Sequence, residues 1–275
     1  MSTSVSEVGA TPRPAPAAKL ELNGVGKEFR TKRKHTQALS EVDLTIGDGE
    51  FVSVIGRSGC GKTTLLRMLA GLVSPSSGTI LVDGRSLWHG AGVDSSVLSQ
   101  LGVVFQDPNL FPWYSVADNI ALPMTMRGDG KRQRRERVRE LAALVGLEGF
   151  ENAYPRELSG GMRQRVAIAR ALSVGPKLLL MDEPFGALDA LTRERMNLEV
   201  QRIALATGAT VVFVTHDITE AVFLGDRVVL LTPRPGRIQE VMTVDIPRPR
   251  DIDVQTEPVF GAIVRELRHA LHEGE

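Results

Sequence analysis

The stretch GRSGCGKT, residues 56–63, decides the fold of this chain. Glycines at three positions let the backbone curl so that consecutive N–H groups point inward at phosphate oxygens. These are Gly56, Gly59 and Gly61. Lys62 is expected to reach the β- and γ-phosphates of a nucleotide, and the hydroxyl of Thr63 is expected to ligate Mg²⁺. Four neighbours are expected to complete the phosphate cradle: Arg57, Ser58, Cys60 and Thr64.

The segments on either side of this loop are those of a strand and a helix. EFVSVIG (50–56) is typical of a buried strand, and KTTLLRMLAGL (62–72) is typical of a helix that ends near Gly71. Further apolar runs, such as KLLLM (177–181) and TVVFVT (210–215), have the length of strands buried on both faces of a parallel sheet. None approaches the ~20 apolar residues of a transmembrane helix. The predicted fold class is therefore α/β, with a mostly parallel core sheet.

Composition argues against several classes of protein. Lysine plus arginine total 33 and aspartate plus glutamate total 33, so no excess of positive charge favours nucleic acid as a partner. The single cysteine, Cys60, cannot form an intrachain disulfide, which is typical of a cytosolic chain. Residues 1–18 lack the basic start and apolar stretch of a secretory signal and are interpreted as a disordered leader.

The periodicity of the remaining chain divides it into three further parts. Alternating apolar and polar residues from 19 to 49 predict a small antiparallel β-layer. Residues 116–173 lack long strand-like runs and predict helices, so a helical insertion is expected over about 107–173. A last amphipathic helix is predicted within a short C-terminal extension, 241–275. The main domain is thus expected to span 19–240.

Acidic residues end one of the buried runs, KLLLMDEP. If the strands are parallel, Asp182 and Glu183 lie at the sheet edge that also carries the phosphate loop. Asp182 is then expected to hold Mg²⁺, and Glu183 to orient and deprotonate the water that attacks a phosphoryl group. The alternative for the two carboxylates, considered alone, is that they only cap the helix that follows.

Two more predicted strand ends carry polar side chains. His216 follows TVVFVT and could stabilise the charge that spreads over a transferred phosphoryl group, as part of a catalytic set with Lys62 and Glu183. Gln106 closes GVVFQ and could ligate Mg²⁺ through its side-chain carbonyl. Each is also typical of a structural residue, a turn-capping histidine or an ordinary strand-end glutamine.

The segment LSGGMRQ, residues 158–164, is a second candidate phosphate site. Ser159 can cap a helix and donate a hydrogen bond, while Gly160 and Gly161 leave the N–H groups at the helix start unobstructed. In their order along residues 19–240, these motifs resemble those of the nucleotide-binding subunit of an ABC transporter. The consensus of that family has glutamine directly after the two glycines, whereas this chain has the variant GGMRQ, which is familiar among importers.

The resemblance implies a P-loop ATPase that uses ATP and Mg²⁺ and works as a homodimer. In this family each ATP lies between the phosphate loop of one subunit and the LSGG segment of the other, which would explain two phosphate sites in one chain. By position, Phe29 resembles the aromatic residue that stacks on adenine, with a core aromatic as the alternative. Asp189, in GALDA, resembles the loop that links the two sites across the dimer, and it could also cap a helix. Cys60 lies inside the phosphate loop, where any small residue would fit, so it is interpreted as having no chemical role of its own, although a bulky reagent on its thiol is expected to block ATP binding.

The resemblance also implies membrane partners. QDPNLFPWYSVADNIALPM (106–124) is similar to the segment with which importers grip a coupling helix of their integral-membrane permease subunits, although a buried core loop is the alternative. An extracytoplasmic solute-binding protein would be an indirect partner, and the chain would sit at the cytoplasmic face of the membrane. The basic run KRQRRER (131–137) is interpreted as the solvated face of a helix and not as a nucleic-acid site.

The tail narrows the type of importer. About thirty-five residues follow GRIQEV, too few for the β-barrel regulatory domain of sugar-type or polyamine-type subunits. The segment 231–251 is similar to the nitrate, sulfonate, taurine and bicarbonate import group, with aliphatic sulfonates favoured. An importer of another small solute and a soluble, non-transport ABC ATPase are the alternatives. The coiled-coil insertion of DNA-repair types and the second cassette of ribosomal types are not found in the sequence.

Overall fold

The computed structural model describes residues 18–30 and 35–273. The predicted leader lies outside these ranges except for Ala18, which begins the first strand. Within them the chain forms twelve strands and eight α-helices. The strands are β1 (Ala18–Arg30), β2 (His35–Gly47), β3 (Phe51–Gly56), β4 (Ser77–Val82), β5 (Arg85–Ser86), β6 (Trp88–His89), β7 (Gly92–Val93), β8 (Leu101–Val104), β9 (Leu178–Asp182), β10 (Thr210–Val214), β11 (Arg227–Leu231) and β12 (Ile238–Thr243). The helices are α1 (Lys62–Leu69), α2 (Ser95–Leu98), α3 (Val116–Arg127), α4 (Lys131–Leu144), α5 (Gly160–Leu172), α6 (Ala190–Thr207), α7 (Ile218–Leu224) and α8 (Pro258–Glu273). None of these helices has the length and apolar character needed to cross a bilayer.

The core of the fold is a six-stranded sheet in the order β12-β11-β3-β10-β9-β8. Its inner pairings are parallel, and only β12, at one edge, runs antiparallel to its neighbour. The prediction of a mostly parallel sheet is confirmed. Because parallel strands end at the same edge, the residues that follow β3, β8, β9 and β10 are brought together there.

Both faces of this sheet are buried, as the unbroken apolar runs predict. On β10, Val211 and Phe213 pack into the core beneath the helices, whereas Val212 and Val214 pack into a second core on the other face. The ring of Phe213 lies 5.8 Å from the ring of Phe51, which locks β10 against β3 at the centre of the sheet.

The second sheet is an antiparallel layer in the order β2-β1-β4-β5. Its pair β1–β2 was predicted from alternation, whereas β4 was not, because partners that are 51 (Gly26 and Ser77) to 62 (Leu20 and Val82) residues apart in the chain leave no local signal. This layer contacts the phosphate loop. A Cβ atom at Gly61 would lie 2.7 Å from Cδ2 of Leu39 on β2, so only glycine permits the approach.

The helical insertion between β8 and β9 consists of α3, α4 and α5. Ser115 and Asp118 form a capping box at the start of α3, and Gly128 ends that helix in a left-handed conformation. On α4, Val138 and Leu141 are buried, while most of the basic run at its start is exposed. The interpretation of that run as a solvated face is confirmed.

The predicted boundary of the main domain at residue 240 falls inside β12, which continues to Thr243 as part of the core sheet. The extension that follows returns across the domain and ends in α8, as predicted from its amphipathic pattern. Phe260 and Leu267 of α8 are buried, and the helix packs beside α7. The extension is therefore part of the same hydrophobic core.

Candidate nucleotide site

The phosphate loop joins β3 to α1 in the geometry that its glycines require. Gly56, Gly59 and Gly61 have φ angles of 155°, 79° and 115°, a range that other residues rarely adopt. Lys62 is buried, and its Nζ donates to the carbonyls of Gly56 at 2.7 Å and Arg57 at 3.3 Å. The ammonium group thus lies within the curl of the loop, where the motif predicts a phosphate-binding charge.

The other loop residues divide into exposed and buried side chains. Arg57 and Ser58 are exposed, Thr64 is half-buried, and Cys60 is only 1% exposed. The thiol of Cys60 points inward, because a Cβ atom at Gly56 would meet its Sγ at 2.8 Å. Because the sulfur is buried, a reagent reaches it only when the loop opens, and the expectation that labelling would block ATP binding stays a prediction.

Thr63 and Asp182 form the candidate metal site. The Thr63 hydroxyl donates to Oδ1 of Asp182 at 3.2 Å, across the gap between α1 and the end of β9. Burial raises the pKa of Asp182, while the hydrogen bond from Thr63 opposes that rise. Hydroxyl and carboxylate oxygens are hard ligands that suit Mg²⁺. The ion normally takes one or two ligands from the protein and its remaining ligands from water and phosphate. The pair therefore fits Mg²⁺ bound together with a nucleotide, and among the described residues there is no cluster of three or more acidic, histidine or cysteine side chains that would hold a metal alone.

Glu183 and His216 meet at the same edge of the sheet. His216 Nδ1 lies 2.9 Å from Oε2 of Glu183, so the ends of β9 and β10 are joined by a hydrogen bond. Glu183 has φ of 43°, a conformation that is uncommon for residues other than glycine and is often found at functional sites. Gln106 reaches the same place, since a Cβ atom at Gly186 would lie 3.1 Å from its Nε2 and 3.8 Å from the Glu183 carboxylate.

The LSGGMRQ segment begins α5 as the sequence predicts. Ser159 is its N-cap and accepts a hydrogen bond from the N–H of Met162 at 3.3 Å. Gly161 also has a packing role that the sequence did not reveal, since a Cβ atom there would lie 2.8 Å from Cγ2 of Thr192. A Cβ atom at Gly160 would make only an ordinary 3.5 Å contact with Cδ2 of Leu188. The start of α5 is thereby packed against the GALDA segment.

Asp189 and Phe29 are both exposed. Asp189 caps α6 by accepting from the N–H of Thr192 at 3.0 Å, so the capping alternative is correct and leaves a dimer role open. Phe29 is 42% exposed, with the ammonium of Lys27 5.2 Å from the centre of its ring, which argues against the core alternative. Leu39 on β2 contacts Gly61 of the phosphate loop and pairs with Lys27 on β1. Phe29 is two residues beyond Lys27 on the same strand.

Two residues of α5 that sequence reasoning did not single out attach the signature helix to the segment after β8. Buried Gln164 donates to the carbonyl of Phe105 at 3.3 Å. Arg170 donates to the carbonyls of Asn109 at 2.8 Å and Pro108 at 2.7 Å. These bonds hold both sides of Gln106 to α5. No sequence signal could have found them, because six residues on a helix place the two side chains about 120° apart and not on one face.

The segment after Gln106 presents an aromatic surface. Phe111 is 37% exposed and Trp113 is 67% exposed, and their rings meet edge to face at 5.6 Å. Asn119, fully buried on α3, fixes this turn by accepting from the N–H of Phe111 and by sharing its two amide hydrogens among three carbonyls. These carbonyls belong to Phe111, Tyr114 and Ser115. The alternative of a buried core loop is therefore wrong for these two rings.

A groove of about 860 Å³ lies beside that surface, between α3 and α4. Its apolar lining includes Ala117, Ala121, Leu122 and Val138, and its basic lining includes Lys131, Arg134, Arg135 and Arg139. None of its lining residues belongs to the phosphate loop. The groove is thus a second feature, distinct from the nucleotide site and continuous with the aromatic turn through Tyr114.

Comparison with known proteins agrees with this geometry. The sequence profile of the ABC transporter family matches residues 39–186. The nitrate import ATP-binding protein NrtD of Synechocystis is 44% identical over 92% of this chain and 94% of its own length. The aliphatic sulfonates import ATP-binding protein SsuB of Bacillus licheniformis is 47% identical over 88% of this chain and 89% of its own length. The dimeric post-hydrolysis structure of the ATP-binding cassette MJ0796, bound to ADP and Pi, superposes with a TM-score of 0.72 at 34% identity and covers 83% of this chain and all of that one. The chain therefore belongs to the ABC transporter family and is one of its ATP-binding ATPase cassettes.

Proposed function

We propose that this ATPase drives an importer of small anions of the nitrate and sulfonate type, with aliphatic sulfonates favoured as cargo. Two relatives whose names specify nitrate or aliphatic sulfonates as cargo align with 92% and 88% of the chain. The observation that carries the motor role is the 2.9 Å hydrogen bond between His216 and Glu183, at the sheet edge that also bears Lys62.

The proposed chemistry assigns one task to each strand end. Lys62 binds the β- and γ-phosphates of ATP, and the curled backbone around it supplies further N–H donors. Glu183 orients and deprotonates the attacking water, and His216 holds the carboxylate in place and stabilises charge on the transferred group. Thr63, Asp182 and Gln106 would hold Mg²⁺, which supplies charge neutralisation on the phosphate oxygens when bound. Phe29 would stack on adenine.

The second phosphate site is proposed to act in a partner subunit. Ser159 and Asp189 are both exposed in the protomer. In a head-to-tail homodimer, Ser159 with the free N–H groups of Gly160 and Gly161 would contact the γ-phosphate bound by the partner, while Asp189 would lie between the two sites. The dimeric cassette structures among the similar proteins support this arrangement.

The groove between α3 and α4, with the aromatic turn at its end, is proposed as the docking site for the permease. Its lining combines apolar residues with four basic and two acidic ones, Asp118 and Glu151, and this excess of positive charge suits a helix that carries acidic residues beside an apolar face. Gln164 and Arg170 hold the adjoining segment to α5. Movement of the signature helix when ATP closes the dimer would therefore be passed directly to the permease at the cytoplasmic face of the membrane. A solute-binding protein would take part only through the permease.

Uptake in cells tests this proposal. Cells that lack the chain are complemented with wild type or with Glu183→Gln, and uptake of labelled sulfonate, taurine and nitrate is measured. The proposal predicts that uptake of at least one anion returns with wild type only. If no anion's uptake depends on the chain, the importer assignment to this group is wrong, although the ATPase assignment is not affected.

A further inference from the structure

The residues on both sides of His216 are held by one buried charge network. The Thr215 hydroxyl donates to Oε2 of Glu220 at 2.6 Å, and it accepts from the N–H of Asp217 at 3.0 Å. Asp217 in turn caps α7 through the N–H groups of Thr219 and Glu220. His216 therefore lies between Thr215 and Asp217, and both of these residues are hydrogen-bonded to Glu220.

A single arginine connects this network to the segment that carries Asp189. Arg193, in the first turns of α6, donates to the carbonyl of Leu188 at 3.1 Å. The same guanidinium lies 3.5 Å from Asp217 through Nη1 and 3.5 Å from Glu220 through Nε. The guanidinium of Arg193 thus contacts Leu188, which precedes Asp189, as well as Asp217 and Glu220, which hold the residues around His216.

The contact with Glu220 is incomplete in the protomer. Arg193 Nε is buried and has no hydrogen-bond partner, since its 3.5 Å approach to Glu220 lacks hydrogen-bond geometry. Because an unsatisfied buried donor is unfavourable, a small shift of the first turn of α6 that completes this bond would be favoured. A displacement of the Asp189 segment would consequently change the distance between Arg193 and Glu220.

We propose that Arg193 is a positioning residue that couples the Asp189 segment, which faces the partner subunit, to the orientation of His216 toward Glu183. Docking of the partner moves Leu188 and Asp189, Arg193 closes onto Glu220, and Thr215 with Asp217 then fixes His216 for hydrolysis. The inference rests on the proposed head-to-tail dimer. It assigns to Arg193 a function in communication between the two ATP sites, and no contact with ATP itself.

The kinetics of variants at position 193 test the assignment. Arg193→Gln removes the positive charge and the planar guanidinium. Arg193→Lys keeps the charge, but its compact ammonium group cannot contact all three partners at once. We expect Arg193→Gln to lower kcat by about tenfold, with the KM for Mg·ATP within about twofold of wild type, because a misplaced group affects the transition state more than binding. The Hill coefficient for ATP should fall toward one. Arg193→Lys should recover part of kcat, and Glu220→Gln should reproduce the fall in the Hill coefficient.

The control is Arg195→Gln, an exposed arginine about 200° around the same helix, which should leave kcat, KM and the Hill coefficient unchanged. A purely structural role for Arg193 predicts a lower melting temperature with wild-type kcat and Hill coefficient per folded molecule, and that result would overturn the inference. Dimer formation by Glu183→Gln with Mg·ATP is measured in parallel. If Glu183→Gln does not dimerise, the proposed function fails; if it dimerises while Arg193→Gln keeps a wild-type Hill coefficient, only this inference fails.

Discussion

Gly161 packs against Thr192 so closely that a Cβ atom at position 161 would lie 2.8 Å from Thr192 Cγ2. The contact joins the start of the signature helix, α5, to the start of α6, which carries Asp189 at its cap. Both segments are therefore held as one unit within the protomer. The second glycine of LSGG is required by packing as well as by access of a phosphate to the helix N-terminus.

Gly161→Ala should destabilise the chain by about 1–3 kcal/mol, because the new methyl group overlaps the Thr192 methyl. Thr192→Ser removes the clashing methyl, so the double variant should recover most of the lost stability. Gly160→Ala is the matched control, since its Cβ would make an ordinary 3.5 Å contact and should change stability by about 0.5 kcal/mol or less. Urea unfolding of wild type, Gly161→Ala, the double variant and Gly160→Ala measures these differences. Equal effects at positions 160 and 161 would contradict the packing explanation.

Glu183→Gln and His216→Ala should each lower kcat for ATP hydrolysis by about 10²–10⁴. The glutamine cannot accept a proton from water, and the alanine leaves Glu183 without its 2.9 Å partner. Binding of ATP should remain close to wild type in both, because the phosphate loop is unchanged. Phosphate release and equilibrium binding of a fluorescent ATP analogue separate the two effects. A loss of binding equal to the loss of kcat would place these residues in binding instead.

Asn119→Ala should destabilise the chain by about 1–3 kcal/mol, because a buried amide that satisfies four main-chain groups of the aromatic turn is lost. Asn119→Asp should be at least as damaging, since it replaces the three donated bonds with an acceptor that faces carbonyls. The exposed Asn152→Ala serves as control and should stay within about 0.5 kcal/mol of wild type. Thermal unfolding measures all three. A stable Asn119→Asp protein would show that the turn does not depend on this amide.

Arg250 anchors the C-terminal extension to the end of α7. The residue is 3% exposed, and its guanidinium donates to the carbonyls of Val222, Phe223, Gly225 and Ile246. Burial lowers its pKa to about 10, so the group remains charged at neutral pH. Arg250→Met should cost roughly 3 kcal/mol or more, because these buried carbonyls lose their donor. The exposed Arg268→Met should change the free energy of unfolding by about 0.5 kcal/mol or less. Similar values for the two variants would show that the extension is not held by Arg250.

Glu220 should make stability depend on pH. Burial raises its pKa above the ordinary 4.5, and Asp217 adds to the rise, while Thr215, Arg193 and His216 oppose it. The folded state therefore binds a proton more tightly than the unfolded state. The stabilisation from this group is complete below pH 4.5 and is lost as pH rises through the raised pKa. Glu220→Gln should remove this loss, so urea unfolding across that pH range should give different slopes for variant and wild type. Parallel pH profiles would contradict the assignment.

Much of the fold follows from local signals in the sequence. The apolar runs that became β3, β9 and β10 could be read directly because strands buried on both faces contain little else. Helix ends could be read from residues such as Ser115 and Gly128, whose effect is confined to one turn. In contrast, β4 and the return of the tail over α7 depend on partners far along the chain, which leave no periodic pattern.

The same division applies to the candidate site. Lys62, Asp182 and Glu183 could be predicted because motif spacing and strand ends define where they meet. Gln164, Asn119 and Arg193 could not, because their importance lies in single contacts with distant carbonyls and carboxylates. The inward direction of the Cys60 side chain was also hidden, since the loop motif specifies its backbone and not the orientation of its side chain.

Dimer formation by Glu183→Gln, with and without Ser159→Arg, tests most directly the claim that two subunits share each ATP. Size-exclusion chromatography with light scattering measures the mass with saturating Mg·ATP, and ATP binding is measured on the same samples. We expect a stable dimer for Glu183→Gln and a monomer that still binds ATP for the double variant. A double variant that dimerises as readily as Glu183→Gln would show that the LSGG segment does not bind the ATP of a partner subunit.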